Sequence, residues 1–351
     1  MKALVLYEKK DGATELRDIP RPSMKDGGLL LRVKGAGICA ADIDFFHAKN
    51  TAPLRPPVIL GHEFCGVVEE VGSGVKKWKP GDRVVSENTG YVCGQCFSCL
   101  TGKYLLCPER LGLGYSMNGG FAEYVYIPEQ ILQRMPDCLH RLPDSLSFEE
   151  GGIIEPSANA YKAVVQEGKI IAGESIAIYG PGPIGLFCVQ IAKVAGASRI
   201  ILLGREHSKE RLECGKHLGA DFIIHPDTQN VVEEVLKETG GEGVDVVIDT
   251  AGAEGVISNA LKMIRPEGRI VRVSWNNRNY SILLDQLSNC SGALLGHYGY
   301  DYISWRNTLR LAERGMIQYR PIISKIFSLD KWREAFAVVE EKSVIKAVFS
   351  L

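Results

Sequence analysis

The fold is decided by residues 175–196, which read SIAIYGPGPIGLFCVQIAKVAG. SIAIY is an apolar run of strand length, and the apolar stretch after the glycines has the length of a buried helix. Between them lies the turn Gly180-Pro181-Gly182-Pro183-Ile184-Gly185. Glycines here permit a sharp turn, let a pyrophosphate approach the backbone and allow close packing of helix on strand, while the helix N-terminus carries partial positive charge. The stretch predicts a dinucleotide-binding turn, and the alternative is an ordinary glycine turn.

Strand and helix patterns alternate around this turn. The apolar runs are RIILLG at 199–204, VDVVIDTAG at 244–252, GRIVRVS at 268–274 and ALLGHYG at 293–299. Strands that alternate with helices predict a parallel sheet covered on both faces, and we assign residues 157–295 to such a Rossmann domain. Residues 1–156 show short apolar runs broken by Gly and Pro, which are typical of a β-rich domain. Residues 296–351 end in amphipathic helices and a closing strand, and we expect them to return to the β-rich domain.

The residue that ends the second strand bears on the cofactor. In dinucleotide-binding folds an Asp or Glu about 20 positions beyond the glycine turn binds the ribose hydroxyls of NAD. Here RIILLG ends in Gly204, with Arg205 next and Lys209 close behind. With no carboxylate to repel it, a 2′-phosphate would pair with the Arg205 guanidinium, so we expect NADP in preference to NAD. The alternative is that Arg205 only stacks on adenine and the pocket accepts either cofactor.

Four cysteines at close spacing predict a metal site. The segment VCGQCFSCLTGKYLLCPER at 92–110 contains Cys93, Cys96, Cys99 and Cys107. Two residues between each of the first three thiolates let tight turns bring them onto one zinc, and the fourth closes the shell. A tetrathiolate shell has no open position for a substrate, so this zinc is expected to be structural. The alternative is a pair of disulfides or a chance spacing.

Composition limits the classes of partner. Lys plus Arg total 41 and Asp plus Glu total 42, a net charge of -1, which gives no reason to expect nucleic acid or membrane as a partner. No stretch approaches the roughly 18 apolar residues of a membrane span. The opening MKALVL lacks the pattern of a secretory signal, and ten cysteines in 351 residues do not form a disulfide framework. We expect a cytoplasmic protein with reduced thiols.

A third group of residues is the candidate reactive centre. Cys39 lies in GAGICAADID, His62 and Glu63 lie in GHEFCGVV, and Glu155 lies in IIEPSANAY. A thiolate, an imidazole and a carboxylate are suitable ligands for a catalytic zinc, which keeps one position free. Taken singly, a lone Cys is more often a small core residue, and a Glu beside a Pro more often starts a helix.

With these motifs the chain resembles the zinc-containing medium-chain dehydrogenase/reductases, and within them the sorbitol, threonine and polyol dehydrogenases. The resemblance covers essentially the whole chain and is carried by GHEFCGVVEEVGSGVKKWKPGDRV at 61–84, the cysteines at 93–107, GGFAEYV at 119–125 and GPGPIG at 180–185. It implies an α/β chain whose β-rich, GroES-like catalytic domain is split into residues 1–156 and 296–351, with the Rossmann domain inserted. The structural zinc lobe would span about residues 87–110. It also implies a homodimer or homotetramer.

The resemblance assigns roles to the candidate residues. Cys39 and His62 match the two most regular ligands of the catalytic zinc, and Glu63 and Glu155 match the carboxylates that relatives use, one or both, as third ligand. The implied reaction is hydride transfer between a nicotinamide cofactor and a secondary alcohol, such as a polyol or a sugar alcohol, phosphorylated forms included. The alternatives are a threonine-like amino-alcohol dehydrogenase and a non-catalytic nucleotide-binding protein on the same fold.

The sequence departs from these relatives in the proton route. Many of them carry Ser or Thr two residues after the cysteine ligand and His three residues further on, and these positions are Ala41 and Asp44 here. Alanine has no proton to pass. We hypothesise that Glu155, acting through zinc-bound water and with Asp44 or His47, replaces the relay. The alternative for His47 is an ordinary surface or core histidine.

Overall fold

The computed structural model of the chain describes residues 1–49, 52–276 and 279–351. The strands, numbered in chain order, are β1 Lys2–Leu6, β2 Thr14–Asp18, β3 Leu29–Ile38, β4 Val58–Ile59, β5 Glu63–Val71, β6 Arg83–Ser86, β7 Thr89–Tyr91, β8 Leu111–Gly112, β9 Tyr124–Ile127, β10 Leu139–Arg141, β11 Ser175–Tyr179, β12 Arg199–Leu203, β13 Phe222–Ile224, β14 Val244–Asp249, β15 Ile264–Arg272, β16 Ala293–Gly296, β17 Ile323–Phe327 and β18 Lys346–Ser350.

The α-helices are α1 Ala40–Phe46, α2 Phe97–Leu100, α3 Glu129–Arg134, α4 Phe148–Gly151, α5 Ile154–Tyr161, α6 Pro183–Val194, α7 Lys209–Leu218, α8 Val231–Glu238, α9 Val256–Met263, α10 Leu284–Asn289, α11 Tyr302–Glu313 and α12 Trp332–Glu340. Among the described residues, none of these helices has the length and apolar character needed to cross a membrane.

The described residues fall into two compact units. The first unit contains Met1–Glu155, Asp301–Gly315 and Tyr319–Leu351. The second contains Pro156–Tyr300 and Met316–Gln318. Both ends of the chain therefore belong to one unit, and the second unit is formed by the middle of the chain.

The first unit is built on a seven-stranded sheet. Its order is β10-β6-β5-β3-β18-β17, and β9 pairs with β3 beside this path. Residues from both ends of the chain meet in its core, where the Phe121 ring packs against Phe349 from β18 with ring centroids 5.0 Å apart. The antiparallel pairing of β18 with β3 places the C-terminal strand between β3 and the edge strand β17.

The second unit is a six-stranded parallel sheet of order β13-β12-β11-β14-β15-β16. Numbered within the unit, this is strand order 3-2-1-4-5-6, that of a Rossmann fold. Helices cover both faces of such a sheet, which explains why the central strands are almost entirely buried. All five residues of β11 are buried. The crevice of this fold lies beyond the carboxyl ends of β11 and β14, where the strand order reverses.

Candidate metal and cofactor sites

Neighbouring strands of the first unit bring three metal-binding side chains together. Cys39 follows β3 and is the N-cap of α1, while His62 precedes β5 and Glu63 begins it. Glu63 lies opposite Gly37 in the β3–β5 pairing. One donor atom from each of Cys39, His62 and Glu63 lies within 4.8 Å of the others. That spacing is short enough for a single ion to bind all three.

Asp42 contacts two of these three residues. Its Oδ2 accepts the Cys39 backbone N–H at 2.9 Å, and its Oδ1 lies 3.2 Å from His62 Nδ1. Asp42 is fully buried and His62 nearly so. Burial by itself lowers the pKa of His62, but the charge and hydrogen bond of Asp42 and the contact with Cys39 together raise it well above its ordinary value. An imidazole held at one ring nitrogen by a carboxylate is the usual arrangement of a metal-binding histidine.

Glu63 is held by a lysine from the far end of the chain. Lys346 Nζ donates to Glu63 Oε1 at 2.7 Å, and the two side chains are 4% and 1% exposed. The second carboxylate oxygen, Oε2, is also buried and has no hydrogen-bond partner among the described residues. Burial disfavours the charged form of Lys346, but the nearby Glu63, Cys39 and Asp42 raise the pKa of Lys346 above its ordinary value. The lysine therefore carries its charge inside the protein.

The remaining members of the predicted reactive centre do not belong to the set of donor atoms that lie within 4.8 Å of one another. Glu155 is half-buried at the start of α5, and its Oε1 accepts a hydrogen bond from Asn88 Nδ2 at 3.3 Å. Asp44 is exposed on α1. His47 Nδ1 lies 2.7 Å from Asp11 Oδ1 and Nε2 lies 2.8 Å from Glu340 Oε1. Both ring nitrogens of His47 thus lie within hydrogen-bond distance of carboxylates, and its part in the relay stays a prediction.

The four cysteines of the loop at 93–107 also converge. The ligand atoms of Cys93, Cys96, Cys99 and Cys107 lie within 4.8 Å of one another. Cys93 Sγ is 3.9 Å from Cys99 Sγ and 3.6 Å from Cys107 Sγ. A tetrahedron with zinc–sulfur distances of about 2.3 Å has edges of about 3.8 Å, whereas a disulfide requires about 2.05 Å. The geometry fits one zinc and not a disulfide pair.

The backbone environment favours ionised sulfur at Cys93. Backbone N–H groups of Gln95 and Cys96 lower the pKa of Cys93 to about 7. Burial in turn raises the pKa of Cys99 to about 12 in the absence of metal. Because thiolates are the zinc-binding form, a metal ion would have to displace the proton of Cys99.

The glycine turn has the predicted shape. Gly180 has a φ of +97°, and a Cβ on Gly185 would lie 1.9 Å from the Gly180 carbonyl oxygen. Gly182 is the N-cap of α6, Pro183 is its first residue and Ile184 follows. A Cβ on Gly182 would meet nothing within 4 Å, so the backbone is open to a ligand there. The turn therefore fits a pyrophosphate at the N-terminus of α6.

The end of β12 excludes a side chain. A Cβ on Gly204 would lie 2.8 Å from Leu212 Cδ2 and from two Pro181 ring atoms, so a carboxylate-bearing residue does not fit without movement. Arg205 and Lys209 are exposed immediately after it. His225 Nδ1 lies 3.2 Å from the Gly204 carbonyl oxygen, which places a histidine from the end of β13 beside the same turn.

Sequence reasoning missed two residues of these sites. Lys346 was read only as part of a closing strand, although a lysine inside the apolar run VIKAVFS is a signal of a buried ion pair. Asn88 was not singled out, since an asparagine two residues after the end of β6 has no distinctive pattern.

Comparison with known proteins defines the class. The family description "Alcohol dehydrogenase GroES-like domain" matches residues 25–137, and "Zinc-binding dehydrogenase" matches residues 183–314. D-arabitol-phosphate dehydrogenase from Enterococcus avium is 37% identical over 94% of this chain and 92% of its own length. L-threonine 3-dehydrogenase from Bacillus velezensis is 34% identical over 99% of this chain and 98% of its own.

A solved structure supports the same class. A protein from Sinorhizobium meliloti 1021, bound to NADP, superposes with a TM-score of 0.90 at 30% identity and covers 100% of this chain and 99% of that one. The chain belongs to the zinc-type alcohol dehydrogenase family. It is accordingly an oxidoreductase that uses zinc and a nicotinamide cofactor, and the predicted combination of a GroES-like domain and a Rossmann domain is confirmed.

Proposed function

We propose that this chain is a zinc-dependent dehydrogenase that interconverts a secondary alcohol and its ketone, with NADP preferred over NAD. The observation that carries the proposal is the convergence of Cys39, His62 and Glu63 in a chain of this family. The similarity to D-arabitol-phosphate dehydrogenase favours a polyol or sugar alcohol, phosphorylated forms included, as the substrate class.

The donor atoms fit a zinc ion. Cys39, His62 and Glu63 supply the sulfur, nitrogen and oxygen that catalytic zinc sites use, and Glu63 Oε2 is a buried oxygen without a hydrogen-bond partner in the described chain. When bound, zinc would act as a Lewis acid on the substrate oxygen and the nicotinamide would exchange hydride with the adjacent carbon. With the four-cysteine loop, the proposal gives two zinc ions per chain.

The protein's own groups then have distinct tasks. Asp42 fixes Cys39 and the His62 ring. Because Ala41 has no exchangeable proton, Glu155 is our proposed acceptor of the proton released from the substrate hydroxyl, directly or through one water. Asn88 orients the Glu155 carboxylate by donating to one of its oxygens. Glu155 also stays a proposed alternative to Glu63 as the third metal ligand.

Support for NADP comes from the end of β12. Gly204 leaves no room for the carboxylate that would bind the NAD ribose, and the exposed Arg205 guanidinium forms no ion pair with the described residues. A hydrogen bond to a charged group contributes about 1.5–3 kcal/mol. Replacing Arg205 by Ala should therefore lower kcat/KM for NADPH by about 10–150-fold and leave NADH nearly unchanged. Exposed Arg306, changed to Ala, is the matched control.

Metal analysis and a substrate panel test the proposal together. The parent should contain two zinc ions per chain, Cys39→Ser one, and the control Cys214→Ser two. The panel comprises sugar alcohols, ketoses, their phosphates and amino alcohols, each with both cofactors. Oxidation of threonine in preference to every polyol would favour the amino-alcohol alternative. One zinc per chain with cofactor binding but no hydride transfer would favour the non-catalytic alternative.

Glu155 is tested by Glu155→Gln. We expect kcat to fall by about 10²–10⁴-fold while zinc content stays at the parent level. An unchanged kcat would remove Glu155 from the mechanism. Assembly as a homodimer or homotetramer stays a prediction from the resemblance, and light scattering on the purified protein measures it.

A further inference from the structure

One of the candidate zinc ligands, Glu63, forms a buried ion pair with Lys346. Lys346 Nζ donates to Glu63 Oε1 at 2.7 Å, although the two residues are 283 positions apart in the chain. Both side chains are almost completely buried, at 4% and 1% exposure. A charged pair removed from water is stabilising only when its geometry is good, so a pair at this depth requires a reason beyond stability.

The geometry assigns different roles to the two Glu63 oxygens. Oε1 is occupied by Lys346, whereas Oε2 is buried and has no hydrogen-bond partner in the described residues. Gly37 on β3 lies opposite Glu63 on β5. Because glycine has no side chain, it leaves space for Oε2, and a Cβ at this position would lie 2.4 Å from that oxygen. A buried carboxylate oxygen left without a donor is costly, and a metal ion is a partner that would satisfy it.

The lysine also changes the charge that a metal ion would meet. Cys39 as thiolate and Glu63 as carboxylate together supply two negative charges, and the Lys346 ammonium offsets one of them at 2.7 Å. A cation this close competes with a divalent ion for the same carboxylate and repels it. Glu63 would therefore bind a metal ion less strongly than an unpaired carboxylate would.

We propose that Lys346 is a positioning residue that holds Glu63 at Oε1, turns Oε2 toward Cys39 and His62, and keeps the carboxylate a weak, exchangeable metal ligand. The inference rests on the proposed function, because it assumes that this group of three binds zinc. Lys346 acts on the metal through Glu63 and need not touch substrate or cofactor.

The test measures metal release rather than turnover. Zinc loss to a chromogenic chelator is followed in the parent and in Lys346→Met, and the phase that is missing in Cys39→Ser identifies the ion at this site. Removal of the ammonium should slow that phase by about tenfold or more, since a unit charge a few ångströms from a divalent ion strongly changes its binding. Lys346→Arg, which keeps the charge and the donor, should release zinc within about threefold of the parent.

A second lysine provides the matched control. Lys34 lies on β3 in the same sheet, and its Nζ lies 3.4 Å from the backbone oxygen of Leu351, with no Asp or Glu side chain as an ion-pair partner among the described residues. Lys34→Met should release zinc as the parent does. A comparable slowing in Lys34→Met would overturn the specific role of Lys346.

The dependence on Glu63 is tested with Glu63→Gln and the double variant Glu63→Gln, Lys346→Met. If Lys346→Met does not fold, the comparison of these two variants still tests the role of Lys346, because the double variant leaves no unpaired buried charge. If Lys346 acts through Glu63, the two variants should release zinc at rates within about twofold of each other. A tenfold difference between them would show direct action on the metal and would overturn the positioning role.

The outcomes separate this inference from the proposed function. If the parent and Cys39→Ser contain equal amounts of zinc, the site itself is absent and both proposals fail. If Cys39→Ser lacks one zinc but Lys346→Met releases it at or above the parent rate, only the role of Lys346 fails.

Discussion

Replacing Gly37 by alanine probes how tightly the backbone of β3 encloses the Glu63 carboxylate. The added Cβ would lie 2.4 Å from Glu63 Oε2, 2.6 Å from the Gly152 carbonyl oxygen and 3.0 Å from Ile153 Cγ2. Ordinary contacts begin near 3.4 Å, so each neighbour must move by several tenths of an ångström to about 1 Å. The Gly152 carbonyl cannot move freely, because it accepts the Gly37 backbone N–H at 3.1 Å.

The structure sets the size of the effect. Overpacking of a fitted interior costs about 1–3 kcal/mol. In larger domains each kcal/mol lowers Tm by about 2–4 °C, so Gly37→Ala should lower Tm by about 2–12 °C. Because the carboxylate is the group that can yield, the same change should displace Oε2 and reduce zinc at this site, while zinc in the four-cysteine loop stays.

The assay combines calorimetry with zinc analysis of Gly37→Ala and a control glycine variant. Gly296 ends β16, has no atom within 4 Å of an added Cβ and does not have a positive φ, so Gly296→Ala should keep the parent Tm and zinc content. The reasoning is refuted if Gly37→Ala retains two zinc ions and a Tm within about 1 °C of the parent.

Three further predictions follow from the described contacts. Cys99→Ser should lower zinc content by one ion per chain and expose residues 93–107 to proteolysis, because three thiolates no longer close the shell; intact resistance to protease would contradict this. His140→Ala should cost about 3–5 kcal/mol in denaturant unfolding, because it strands the buried Glu87 carboxylate that lies 2.8 Å from the ring, and the double variant with Glu87→Gln should cost less. Asp245→Asn should destabilise the protein most above pH 4. Partial burial raises the pKa of Asp245, but hydrogen bonds from Ser175 and Arg265 lower it by more, so its pKa in the folded protein lies below the ordinary 3.8. The stability that this carboxylate contributes is therefore lost as the pH falls through that pKa. A Tm difference from the parent that does not shrink between pH 6 and pH 3 would contradict the assignment.

Local sequence pattern was sufficient to predict elements and sites whose residues lie close together in the chain. The strand and helix predicted at 175–196 correspond to β11 and α6, and the glycine turn between them needs the positive φ that is seen at Gly180. The four cysteines converge because turns of two residues keep the sulfur atoms of successive cysteines close together. In both cases the chemistry of the site depends on residues close in sequence.

Sequence pattern did not predict contacts between residues that are far apart in the chain. The partner of Glu63 comes from β18, and no feature near Glu63 indicates which distant strand will lie beside it. His47 shows the reverse case, in which a residue close in sequence to the candidate ligand Cys39 contacts Asp11 and Glu340 from α12. Which carboxylate a histidine meets is decided by packing between distant elements, and spacing along the chain does not report it.

The pairing register of three strands decides whether the candidate site exists. Gly37 lies opposite Glu63 on β5, and Ile38 lies opposite Ala347 on β18, next to Lys346. A shift of either pairing by one residue would turn Glu63 or Lys346 to the opposite face of the sheet. The β3–β5 pairing contains two irregularities, between Leu30 and Leu31 and between Val33 and Gly35, before it reaches Glu63. Such irregularities change the direction of side chains near functional sites, and here they set the register that brings Cys39, His62, Glu63 and Lys346 together.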